Sequence, residues 1–190
     1  MTPQFSRFAG WSAYLSVAAT WIGFLFLIFF FTIGQPFGTL NDAASVLQVL
    51  FMIIVAVAIH RLLHAQAAKA SLVAAIIGIG AMSVIAVLQS LIVINPTLYP
   101  QISGPVLTAG GGLGVWLVLV NMLSRQGSIL PPLLTGSGLI AGAGYIVLVI
   151  GFWIGGQENV LFIVGSLAVV IAYPIWAIWL GRVLLSSKVA

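Results

Sequence analysis

The chain has 190 residues, 62% hydrophobic and 4% charged, with a mean hydropathy of +1.27 and a net charge of +4. A soluble domain keeps roughly a quarter of its residues charged to face water, so this composition excludes a water-covered surface and leaves lipid as the main solvent. Cysteine is absent, which excludes disulfides, thiolate metal sites and thiol catalysis.

One helical crossing of a hydrocarbon layer about 30 Å thick takes roughly 20 apolar residues, and six such stretches follow one another. The first spans about 8–33 and stops at "GQPFG"; the second spans about 42–64, where Asn41 or Asp42 is placed to cap its start. The third spans about 70–94 and runs into "INPTLYP", read as a loop. The fourth covers about 105–124, the fifth 131–154 from Pro131–Pro132, and the sixth 159–184. None alternates apolar and polar residues as a barrel strand does. The first stretch is too long for a signal-peptide core and lacks a small-residue cleavage pattern, so it is read as a retained helix.

Charge sets the expected orientation. With six crossings, Arg7, Arg61, Lys69, Arg125, Arg182 and Lys188 all fall on one side, and Asp42 and Glu158 fall on the other. The positive-inside rule then makes both termini cytoplasmic. The six basic residues are too scattered to form a nucleic-acid patch. Helices 2, 4 and 6 close alike in "AIHRLLH", "LVNMLSR" and "IWLGRVLL". That likeness fits three parallel hairpins, either as true repeats or as a product of shared membrane constraints.

The segment "IHRLLHAQAAK" holds both histidines. His60 and His64 share a helix face at the interface; they read mainly as anchors at a helix C-terminus, with a cofactor or metal contact as the alternative. A metal would need a third ligand, and the chain has no further His or Cys. Asp42 and Glu158 read mainly as caps at helix N-termini; a proton or cation site using either is the alternative, though neither has an evident acidic partner. Gln48 and Gln89 would bond between helices or line an outward pocket with Trp21, Trp116 and Tyr145. Asn121 and the stripe Ser12, Ser16 and Thr20 read as packing residues. Gly110 with Gly114, and Gly138 with Gly142, stand four apart and are expected to bring helix backbones close; Gly78 and Gly80 add to them. Trp11, Trp176, Trp179, Trp153 and Tyr99 are expected in interfacial belts, and Pro174 is expected to kink helix 6.

The phrase "YPIWAIWLGRVLL" (173–185), with the acidic turn before helix 2 and the basic end of that helix, resembles small bacterial six-helix integral membrane proteins of an uncharacterised family. That resemblance implies a six-helix membrane fold and supplies no activity. The expectation is thus an all-α, polytopic transmembrane bundle, one domain over 1–190, in a bacterial inner membrane. Sparse polarity favours a non-enzymatic accessory or structural subunit, in contact with lipid and with another copy or another membrane protein, and without cofactor or metal. The alternatives are a carrier or binding protein for a small apolar or weakly polar molecule, and a membrane enzyme using His60 and His64.

Overall fold

The computed structural model describes residues 1–186; Lys188 lies outside them. Among these residues it holds five α-helices: α1 (Pro3–Ile33), α2 (Phe37–Ile94), α3 (Tyr99–Gln126), α4 (Pro132–Gly155) and α5 (Val160–Leu185). All five are long and apolar enough to cross a membrane, and large apolar side chains such as Ile76, Val87, Leu133 and Val160 point outward, as lipid contact requires.

The helices expected at 42–64 and 70–94 are one helical run of 58 residues, which corrects the count of six to five. A straight helix of that length would be roughly 87 Å long, about three hydrocarbon thicknesses. It is not straight. Ala67 has non-helical φ −145° and ψ 55°. His60 Nδ1 lies 3.1 Å from Ser71 Oγ, eleven residues later, where a continuous helix would separate them by roughly 16 Å along its axis. The chain therefore turns back at Ala67, and Ala43, Val46 and Leu47 of the first arm line one groove with Ser90, Val93 and Ile94 of the second. "HAQAAKA" contains no glycine or proline and is made of good helix formers, so helix continues on both sides until a single residue makes the turn.

Each helix packs on its chain neighbours, and α5 packs back on α1, closing a ring. The first arm of α2 lies on α1, where Gly23 faces Ala44 and Asn41; the second lies on α3, where Gly112 faces Ala81. Two ends of the ring can be told apart. At one, Ser6 Oγ donates to the carbonyl of Leu184 at 2.6 Å, the Arg61 guanidinium sits 4.3 Å from the Phe5 ring centre, and Gly127 abuts Gln66. Arg7, Arg125, Arg182 and Lys69 belong to these same segments. At the other, the end of α1, both extremities of α2, the start of α3 and the α4–α5 turn meet, with Asp42 and Glu158.

Local chemistry sets the helix limits. Thr2 caps α1, and Gly34, at φ +96°, ends it with an N–H bond of 2.9 Å to the Phe30 carbonyl. The helix expected from 105 starts at Tyr99, because Pro100 suits a first turn and "NPTL" winds a short 3₁₀ turn, with Asn95 Oδ1 accepting from Thr97. Pro105 inside α3 leaves the Gln101 carbonyl without its helical N–H. Asn159 caps α5, accepting from the Leu161 N–H at 2.9 Å.

Neither acid is a cap. Helix α2 begins at Phe37, five residues ahead of Asp42, and Glu158 sits in the 3₁₀ turn Gly156–Glu158 before Asn159.

Glycines set the closest crossings. A Cβ on Gly114 would lie 2.7 Å from the Gly142 carbonyl oxygen, and one on Gly142 would lie 2.8 Å from that of Gly114. Gly144 and Gly165 join α4 to α5, and Gly10 and Gly181 join α1 to α5, each against the other's carbonyl. Gly138 abuts the Asn121 side chain. Gly110 departs from the expected role: its nearest neighbour is Tyr145 Cδ1 at 3.8 Å, ordinary contact.

Gly142→Ala is expected to lower the unfolding free energy in detergent by about 1–3 kcal/mol, because its methyl would meet backbone that cannot move aside. Gly80→Ala, with nothing within 4 Å of the new methyl, is expected to leave stability unchanged or raise it by up to about 1 kcal/mol through helix propensity. Denaturant titration of both variants checks the contrast.

Candidate functional site

Polar side chains divide by end. Toward the basic end and the middle of the bundle most are paired, the buried Trp116 Nε1 being an exception. Asn121, 1% exposed, donates from Nδ2 to the Leu117 carbonyl at 2.8 Å and accepts from Trp176 Nε1 at 3.1 Å. The Tyr173 hydroxyl donates to Ser16 Oγ at 2.6 Å, and Ser16 donates onward to the Ala13 carbonyl at 2.7 Å. The hydroxyl stripe of α1 thus receives a tyrosine from α5 as well as allowing close approach.

Toward the acidic end some pairs persist, Trp153 Nε1 donating to Thr108 Oγ1 at 3.1 Å, but cavities open beside polar groups. A cavity of about 490 Å³ lies between the ends of α1 and α2 and the start of α3, walled by Leu27, Phe30, Phe31, Ile92 and Tyr99. A second, of about 360 Å³, shares Asp42, Asn41, Phe31, Tyr99 and Gln157 with it and continues inward past Gln89 to Val106 and Leu107. A third, of about 140 Å³, shares Gln89, Val106 and Leu107 with the second and reaches Gln48 and Tyr145. The path from Asp42 to Gln48 spans six residues of one helix, roughly 9 Å along the axis. Cavities of a few hundred Å³, mostly apolar with a few convergent polar groups, are the usual form of a small-molecule site.

Two polar groups on this path lack protein partners. Asp42 is 7% exposed, and among the described residues it forms no hydrogen bond and no ion pair. Its charge stays out of the apolar interior only through the cavities that it lines. Gln89 Oε1 is buried with no hydrogen-bond partner, a condition that costs about 1–3 kcal/mol when nothing offsets it.

The pocket residues expected from sequence divide accordingly. Gln48, Gln89 and Tyr145 line the same innermost cavity. Trp21 does not belong with them; it is 48% exposed on the outside of α1, beside Phe24. Trp116 is fully buried in the core, stacked on Gly78 and edge-on to Trp176 at 5.9 Å. Trp176, expected in an interfacial belt, is 1% exposed in that same core, whereas Trp11 and Trp153 are exposed. The reason is helical phase. Depth along a helix can be counted from its ends, but the direction in which a side chain points depends on the neighbour the helix meets. Asp42 reads from sequence mainly as a cap for a related reason. Its helix begins five residues earlier than composition implies, which moves it from the cap to the wall of a cavity.

His60 and His64 stack edge-on with ring centres 5.4 Å apart at the opposite end, and His60 reaches Ser71 across the turn. Among the described residues no third His, Cys, Asp or Glu joins them. No family model, curated protein or solved structure matches this chain.

The two kinds of buried amide are expected to respond oppositely to an apolar replacement. Asn121→Leu strands the Trp176 N–H and is expected to cost about 1–3 kcal/mol. Gln89→Leu removes an unpaired acceptor and is expected to be neutral or stabilising by up to about 1 kcal/mol. Chemical unfolding of the two variants in parallel measures the difference.

Proposed function

We propose that the protein is a carrier or binding protein for a small molecule that enters from the acidic end of the bundle. The observation that carries this reading is the run of contiguous cavities from Tyr99 and Gln157 to Gln48 and Tyr145, with a buried carboxylate and an unpaired amide in its wall. A bundle used only as a structural partner has no need to keep such groups unpaired, since apolar replacements would pack better there. The accessory-subunit reading has no comparable feature in its favour, because exposed apolar side chains occur on every helix, as plain lipid contact requires.

The orientation belongs to the same proposal. The two arms of α2 count as separate crossings, which makes six. Residues 3 and 185 then lie on the cytoplasmic side of an inner membrane, with Arg7, Arg61, Lys69, Arg125 and Arg182 retained there. The cavities consequently open away from the cytoplasm, and an organism with a bacterial envelope would present them to the periplasm.

Single cysteines at Gln157 and Gln66 are expected to react with a membrane-impermeant thiol reagent from opposite sides, Gln157→Cys in intact cells and Gln66→Cys only after lysis. Labelling of both from outside overturns the orientation. For the site, native mass spectrometry of protein extracted with its lipids is expected to find a small molecule on the wild type that Val106→Trp, which fills two of the cavities, no longer retains. Equal retention by both proteins overturns the assignment of the site.

A further inference from the structure

The wall of the cavity has a sign. Among the described residues Asp42 is the only charged one in it, and the basic residues of α1, α2, α3 and α5 belong to segments at the far end of the ring. Asp42 is 7% exposed and has no cation from the described residues beside it, and such a carboxylate is held in its ionised form at low cost only when a positive charge comes to it. Phe30, Phe31 and Tyr99 line the same space, and aromatic faces attract cations electrostatically. Deeper in, Gln89 Oε1 is an acceptor without a donor.

We infer that the cavity takes a small organic cation, an ammonium head set against Asp42 and the aromatic wall with an N–H directed to Gln89, and an apolar body filling the remaining volume. This rests on the reading of the cavity as a ligand site and adds the chemical class of the ligand. Volume separates an organic cation from a metal ion. A metal ion is held by oxygens at about 2.0–2.6 Å on all sides, whereas the first two cavities measure about 490 and 360 Å³ and are walled largely by aliphatic and aromatic side chains. An anion would meet Asp42 with no basic side chain in the wall to offset it.

Three probes of one shape test the sign: 2-(2-naphthyl)ethylammonium, the corresponding neutral alcohol, and 3-(2-naphthyl)propanoate. They are titrated calorimetrically into the full chain in lipid nanodiscs, with the signal of empty nanodiscs subtracted. The ammonium is expected to bind at least tenfold tighter than the alcohol, and the carboxylate weakest. Asp42→Asn keeps the shape of the side chain and is expected to bring the ammonium down to the alcohol's affinity while leaving the alcohol unchanged. An alcohol that binds the wild type as tightly as the ammonium overturns the cation inference and leaves the ligand site standing. A carboxylate that binds best does the same. Failure of all three to bind overturns the ligand site and the inference together. Because the wild-type series alone reports the sign, the test survives a variant that fails to fold.

Discussion

Helices in lipid gain nothing from hiding apolar surface, since acyl chains are as apolar as leucine; what holds them together is the closeness of their packing. Here that closeness comes from glycine set against carbonyl oxygen. Gly114 and Gly142 join α3 to α4, Gly144 and Gly165 join α4 to α5, and Gly181 and Gly10 join α5 to α1. Three successive seams of the ring thus rest on positions where an added methyl would meet the opposing carbonyl oxygen at 2.7 to 3.1 Å. The other seams use different means: the two arms of α2 are tied by the turn at Ala67, and the second arm meets α3 where Trp116 covers Gly78.

The spacing along the α3–α4 seam explains where the cavities lie. Toward the basic end Gly138 is in direct contact with Asn121, and at Gly114 the approach of an added Cβ is 2.7 Å. It loosens to 3.4 Å at Gly111, 3.8 Å at Gly110 and 3.7 Å at Gly104. The α1–α5 seam is likewise tight at Gly10 and Gly181, close to the basic end. On these two seams the tight crossings lie away from the cavities, whereas α4 and α5 stay close at the acidic end too, where Gly151 abuts the Phe162 backbone. The side chains facing the cavities cannot all find protein partners, so Asp42 and Gln89 stay unpaired while Asn121, Ser16 and Tyr173 are bonded. The inner cavities therefore lie where the α3–α4 seam is loosest.

Much of the fold was legible in the sequence because bilayer thickness and charge act on long stretches. The apolar runs around 8–33, 131–154 and 159–184 match α1, α4 and α5 to within a few residues, and the acids separate from the bases as the alternation of crossings requires. The turn at Ala67 was hidden because good helix formers do not mark a reversal; Arg61 and Lys69 marked only that the chain leaves the hydrocarbon nearby. The α3 start was obscured by prolines that usually signal a loop but also suit a first helical turn. Gly114 and Gly142 could be found from their spacing. Gly10 and Gly181 could not, because each stands alone in its helix and has meaning only against the other. Gln48, Gln89 and Tyr145 stand out in the sequence because polarity in an apolar stretch is rare. Trp21 and Trp116 were misplaced because an indole is at home in lipid, core or pocket.

The same reasoning bears on why a carboxylate is tolerated at Asp42. An ionised group at the bilayer centre costs about 2.5–3.5 kcal/mol on insertion scales, and the cost falls toward the interface. Asp42 sits five residues past the start of α2, roughly 8 Å along its axis, and a cavity connects it to the end of the bundle. At that depth the charge can enter the membrane, yet it is too deep to be indifferent to what lies beside it. A deeper acid would threaten insertion, and a shallower one would be satisfied by water and select nothing. Gln89 extends the polarity inward without charge, so a bound molecule would meet a charged contact near the mouth and a neutral one beyond it.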